Sequence, residues 1–192
     1  LSDKFSIVYT GNLYRGKRDP EPLLKAIQKL ILEGIIEPDE VVIDFYGYDE
    51  GWLERDVERY GLQDIVRVHG VIPREEALKK QREAQILLLL TWNDPTERGV
   101  YTGKVFEYLA ARRPILSMGI SGGVVEDLLK ETNAGVHTSS QEEIERALKI
   151  FHSEFKLKGR VGYCGISTKI ERYSQREMAR KFADVLYTLA KR

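Results

Sequence analysis

Short apolar runs and amphipathic stretches alternate along the whole chain, and this alternation limits the possible folds more than any other feature. "FSIVYTG" (5–11), "VVIDFYG" (41–47), "IVRVHG" (65–70), "ILLLL" (86–90), "PILSM" (114–118) and "AGVHT" (134–138) are brief and mostly β-branched, aromatic or aliphatic, as strands are. Between them Leu23, Ala26, Ile27, Leu30 and Ile31 recur at i, i+3, i+4, i+7 and i+8, and helical patterns also cover about 50–60, 74–84, 103–112 and 123–132. A strand followed by a helix and another strand is a crossover unit, which makes parallel neighbours with helices on the faces of the sheet. Strands buried on both faces are mostly apolar on both sides, as these are. The expected fold is therefore α/β: a doubly wound, Rossmann-like parallel sheet of six strands with helices on both faces. Two helices, 140–155 and about 168–191, close the chain, and Ser174 and Glu177 in the second have the spacing of a capping box or a kink point.

At 192 residues and 42% hydrophobic content the chain suits one domain with a real core. Its thirty basic and thirty acidic side chains cancel, so no bulk field favours nucleic acid or an anionic membrane, and any anion must be held locally. Cys164 is the only cysteine, which excludes an internal disulfide framework and a cysteine-based zinc site and suits the reducing cytosol. "ILLLL" is too short to span a bilayer, and the N-terminus does not read as a signal peptide. The first residue is Leu1 instead of Met, which suggests a piece of a longer protein.

Ligands of an open parallel sheet bind beyond the carboxyl ends of the strands, where the strand order reverses. The loops after the first and fourth strands are the places to look. The first, "TGNLYRGKRDP", offers Gly11 for close backbone approach and clusters Arg15, Lys17 and Arg18; it is neither a dinucleotide fingerprint nor a phosphate loop, and a solvated basic turn is the alternative. The second, "TWNDPTERGVYTGK", is long and polar, carries Trp92 and Gly99, and leads into a helix at Gly103. Glu107 lies between Phe106 and Tyr108 near the start of that helix, where the rest of the sequence reads as buried.

Taken in order, "YTGNLYRGKRDPEPLLKAI", "VRVHGVIPREEALKKQREAQILLLL", "GKVFEYLAARRPIL" and the closing "YSQREMARKFADVLYTLA" resemble the C-terminal, donor-binding half of a GT-B glycosyltransferase of the large retaining family four type. The resemblance covers essentially the whole chain. It implies hexosyl transfer from a UDP- or GDP-sugar to an acceptor glycan or lipid-linked sugar, with no metal and no further cofactor. Glu107 corresponds to the second glutamate of the family's E-x7-E motif, which accepts from the ribose hydroxyls; one carboxylate can accept from two vicinal hydroxyls with charge-assisted strength. The amides of Thr102, Gly103 and Lys104 would face the diphosphate, Lys17 and Arg15 would stabilise it as it leaves, and backbone groups of Val71 and Ile72 would read the base. His69 beside them reads as a structural strand-end residue.

The sequence departs from the family twice. Eight residues before Glu107 stands Gly99 where the first glutamate belongs, with Glu97 two residues out of register, and the usual arginine after Gly11 is Asn12. For Glu107 two structural roles stay open, complementing the helix dipole or pairing with Lys104 one turn earlier. For the chain as a whole, another sugar-nucleotide enzyme such as an epimerase and a non-catalytic interaction module stay open too. On the favoured reading this is the donor half alone, inactive without an N-terminal acceptor domain that 168–191 would contact, and the complete protein has room for peripheral membrane association.

Overall fold

The computed structural model describes residues 1–48 and 51–190. Its six strands are β1 (Phe5–Thr10), β2 (Val41–Tyr46), β3 (Val66–Val68), β4 (Ile86–Leu90), β5 (Ile115–Met118) and β6 (Gly135–Thr138). They form one parallel sheet in the order β3-β2-β1-β4-β5-β6, with Phe5 opposite Val41 on one side of β1 and Ile7 opposite Ile86 on the other. Chain order therefore reverses between β1 and β4. The helices are α1 (Glu21–Leu32), α2 (Leu53–Arg59), α3 (Arg74–Glu83), α4 (Gly103–Ala111), α5 (Val124–Thr132), α6 (Gln141–Lys158), α7 (Ser167–Ile170) and α8 (Gln175–Ala190). Positions 50 and 191, which the sequence patterns assign to helices, lie outside the described residues.

Alternation along each strand sorts side chains into two cores. In β4, Ile86, Leu88 and Leu90 enter a core completed by α1, α2 and α6, while Leu87 and Leu89 enter another completed by α4 and α5. An unbroken apolar pentapeptide serves both. The apolar stripe of α1, Leu23, Leu24, Ala26, Ile27 and Leu30, is buried in the first core, and α6 packs beside it with Lys29 and Glu145 paired at 2.7 Å. On the other face α3 buries only Gln81.

The closing segment differs from the single helix its pattern suggests. It contains α7, a 3-10 turn at Glu171–Tyr173 and then α8. Ser174 accepts from the Glu177 N–H at 3.2 Å and caps α8, but the Glu177 carboxylate pairs with Arg180 at 3.0 Å and is not the other half of a capping box. Tyr173 donates to Glu131 of α5 at 2.6 Å, which fixes the turn. Beyond it α8 buries none of its described side chains, and Met178, Phe182, Val185, Leu186 and Leu189 are exposed.

The sheet is tied to α4 by Tyr108, which is fully buried and accepts from the Thr10 N–H at 3.1 Å. Tyr108→Phe keeps the ring and leaves that amide without an acceptor, so it should lower the unfolding free energy by about 1–3 kcal/mol in urea titrations. An unchanged midpoint would show that water replaces the hydroxyl.

Candidate functional site

The loop after β1 begins with a steric demand. Gly11 has φ +130°, and a Cβ there would collide with the Lys104 ammonium from α4. Only glycine permits both. Asn12 is then used structurally: its Oδ1 accepts from the Tyr48 N–H at 3.3 Å, and its carbonyl accepts from the Tyr9 hydroxyl at 2.8 Å. The Tyr14 carbonyl accepts from the N–H groups of Lys17 and Arg18 at 3.0 and 2.9 Å, closing a turn that presents both side chains. Trp92 from the loop after β4 receives them. The Lys17 ammonium is 4.6 Å and the Arg18 guanidinium 5.6 Å from its ring centroid, and the Asn93 N–H donates to the Lys17 carbonyl at 3.2 Å. Arg15 points elsewhere, lying 5.8 Å over Trp52 and 3.8 Å from Asp56.

Opposite this loop is the start of α4. Thr102 occupies the N-cap position with extended backbone, yet its hydroxyl makes no cap and its Oγ1 is buried without a partner among the described residues. None of those residues accepts from the N–H of Gly103 or Lys104 either. Helix starts leave such donors free, and their dipole favours an anion. Lys104 adds a cation where the dipole disfavours one. Its ammonium is 5.1 Å from the Tyr9 ring centroid; burial first, then the Arg18 charge, hold its pKa down at about 8 against an ordinary 10.5, and Glu107 opposes them least. Two cations thus crowd a half-buried crevice between β1 and β4, on the edge where chain order reverses.

Glu107, one turn on from Lys104, is turned towards α3. Arg74 donates to its Oε1 at 3.1 Å and Gln81 to its Oε2 at 3.5 Å, so its ion-pair partner is the first residue of α3 and not Lys104. It lines a groove of about 760 Å³ between α3, α4 and the chain around Ser174. Val71, largely exposed, and Ile72, packed on the core, precede α3 in the loop beside it. His69 donates its backbone N–H to the Phe45 carbonyl, stacks on Tyr46 at 4.4 Å and places Nε2 2.7 Å from Asp44, a set of strand-end contacts.

Gly11 lies against Lys104 at the start of α4, and Lys17 lies over Trp92, while Gly103 lines the same groove as Glu107. Glu97 lines a small hollow with Trp92, Arg98, Glu126 and His137, and Gly99 is exposed. Arg18, Arg74 and Gln81 have no assigned role in the sequence. For Arg74, as for Lys104, a signal exists: a basic residue in the first turn of a helix runs against the dipole. Among the described residues no three His, Cys, Asp or Glu side chains converge to hold a metal ion, and no helix is long and apolar enough to cross a membrane.

A doubly wound α/β domain with free helix-start amides and cations at its switch point is built to receive an anionic ligand. The chain belongs to the glycosyl transferases group 1 family, whose sequence profile matches residues 4–153. Among solved structures it is similar to Anabaena Alr3699/HepE in complex with UDP, at 14% identity and TM-score 0.75 over 97% of this chain and 49% of that one. It is also similar to the pneumococcal O-GlcNAc transferase GtfA in complex with UDP and GlcNAc, at 15% identity and TM-score 0.68 over 97% and 36% of the two chains. The C-terminal domain of a glycosyl transferase group 1 family protein, LpcC, from Francisella tularensis matches at 15% identity and TM-score 0.62 over 82% and 80%. These identities make the likeness one of fold, and the chain spans about half the length of HepE. No curated protein matches it significantly.

The Lys104 environment sets a pH dependence. Below about pH 8 the ammonium is charged in both the folded and unfolded protein, and its burial lowers stability; between about 8 and 10.5 the folded protein has released the proton that the unfolded chain still holds, so stability rises with pH. Lys104→Met should therefore raise the melting temperature at pH 7, and the gain should shrink as the pH approaches 10.5. A gain independent of pH would place the ammonium in solvent.

Proposed function

We propose that this chain is the donor-binding half of a metal-independent, retaining glycosyltransferase, which holds a nucleoside diphosphate sugar while an N-terminal domain presents the acceptor. One observation carries the reading. Lys104, beside Arg18 and the unpaired amides at the start of α4, lies over Gly11 at the end of β1 with no ion-pair partner among the described residues, while Glu107, whose charge only weakly opposes the depression of the Lys104 pKa, is paired with Arg74 in the next groove. A diphosphate is the anion that fits the first place, and a ribose diol, supplying two donors to one carboxylate, fits the second. The UDP in the HepE and GtfA complexes supports a uridine donor.

In this role the groups divide the work by charge. The α4 amides and Lys104 would bind the diphosphate, and Lys17, held over Trp92, would meet the negative charge that grows as the bond to the sugar breaks. Glu107 would exchange Arg74 for the ribose hydroxyls. Arg15, turned towards Asp56, would need to swing away to take part. Exposed Val71 and half-buried Ile72 would border the base. The exposed apolar face of α8 would pack on the acceptor domain, and the complete enzyme would act in the cytosol on a glycan or lipid-linked acceptor.

Thermal-shift measurements with UDP, GDP and ADP test the reading directly: one nucleotide should stabilise the domain, and the shift should survive EDTA. Abolition by the chelator would overturn metal independence, and no shift with any of the three would overturn the donor site. Glu107→Gln keeps volume and one acceptor oxygen but removes the charge, so it should weaken binding by about 1–3 kcal/mol. A 2′,3′-dideoxy nucleotide should bind the wild type weakly and lose little more in the variant. Additive losses in calorimetry would remove Glu107 from the ribose.

A further inference from the structure

Gln81 is the one buried residue of α3, and it occupies the point where α3, α4 and β1 meet. Its Nε2 donates to Thr10 Oγ1 at 2.9 Å and lies 3.5 Å from Glu107 Oε2, while its Oε1 is enclosed without a donor among the described residues. Thr10 is the last residue of β1 and directly precedes Gly11; its N–H donates to Tyr108 Oη at 3.1 Å, and its Oγ1 lies 3.4 Å from the same atom. Glu107 and Tyr108, consecutive on α4, are thus both referred to Thr10, one through Gln81 and the other directly. An amide this enclosed is expensive to keep unless its contacts are used. Apolar side chains would fill the same space with no unpaired carbonyl.

The two partners of Glu107 are not equivalent. Arg74 is exposed and lies at a helix start, and a surface pair of this kind adds little to stability. Gln81 has no freedom to leave. When a diol takes the place of Arg74, the buried amide is what keeps the carboxylate aimed into the groove.

We propose that Gln81 is a positioning residue: anchored on Thr10, it fixes the Glu107 carboxylate in the orientation that receives the ribose and sets the distance between the ribose and diphosphate ends of the site. This rests on the donor-site reading above and adds a residue to it. The same side chain links both ends, because Thr10 leads into Gly11, over which the Lys104 ammonium lies.

The experiment is calorimetric titration of wild type, Gln81→Met, Glu107→Gln and the double variant with UDP, GDP, ADP and their 2′,3′-dideoxy counterparts. Gln81→Met should weaken the preferred ribonucleotide several-fold, leave the dideoxy nucleotide within two-fold, and add less than two-fold in the Glu107→Gln background. Thr10→Val removes only the hydroxyl that anchors the amide and should lower the ribose preference in the same direction, which keeps the test available if Gln81→Met does not fold. Equal weakening of both nucleotides, or additive losses, would overturn the positioning role while leaving the donor site standing. A wild type that binds none of UDP, GDP and ADP would overturn the site and this inference together.

Discussion

The central strands β1 and β4 are buried on both faces, and the geometry of the site follows from burying them. Two-sided burial requires helices above and below, helical crossovers make the neighbours parallel, and parallel neighbours deliver every strand's carboxyl end to one edge. Where the chain turns from β1 outwards to β2 in one direction and from β4 to β5 in the other, no crossover covers that edge. The gap is filled by what the two loops and α4 present. Here that is a glycine with no room for a side chain, two cations and a helix start.

Such a filling is electrostatically unfavourable in the protein alone. Lys104 stands at the positive end of a helix, half-buried, with Arg18 close enough to depress its pKa. Arg74 stands in the same position on α3. Arg74 is paired with Glu107 and Lys104 lies one turn before it on α4, and each becomes intelligible if a ligand carries the opposing groups: negative charge for one, hydroxyls that release the other. The fold tolerates the strain because its two cores do not depend on these side chains.

The sheet was legible because period and composition agree in every strand; even "ILLLL", which has no alternation of polarity, could be placed by its length and its neighbours. Gly11 and Lys17 can be singled out as candidates because switch-point loops are few, whereas the roles of Thr102, Gly103 and Lys104 come only from the family resemblance. Side-chain direction was less accessible. Arg15 and Lys17 are two residues apart in one turn, yet one meets Trp52 and the other Trp92, a choice made by tertiary neighbours. Gln81 sits in "REEALKKQRE" (74–83) among residues at least partly open to water, and nothing local marks it as the one of that helix that turns inward. The break at Ser174 had a local sign in the Ser174–Glu177 spacing, but the apolar stripe running through it argues for continuity.

That break divides the chain into two regimes of backbone protection. Up to Tyr173 most helices bury apolar side chains in a core shared with the sheet, so their amides belong to a cooperative unit, and the Tyr173–Glu131 contact marks its end. After Ser174 the amides of α8 are guarded only by the helix itself, with Arg180 bridging Glu177 and Asp184. Sixteen residues are close to the length at which an isolated helix is marginal in water. Hydrogen exchange in α8 would therefore report the helix–coil equilibrium of a peptide, and in the rest of the chain the unfolding of a domain.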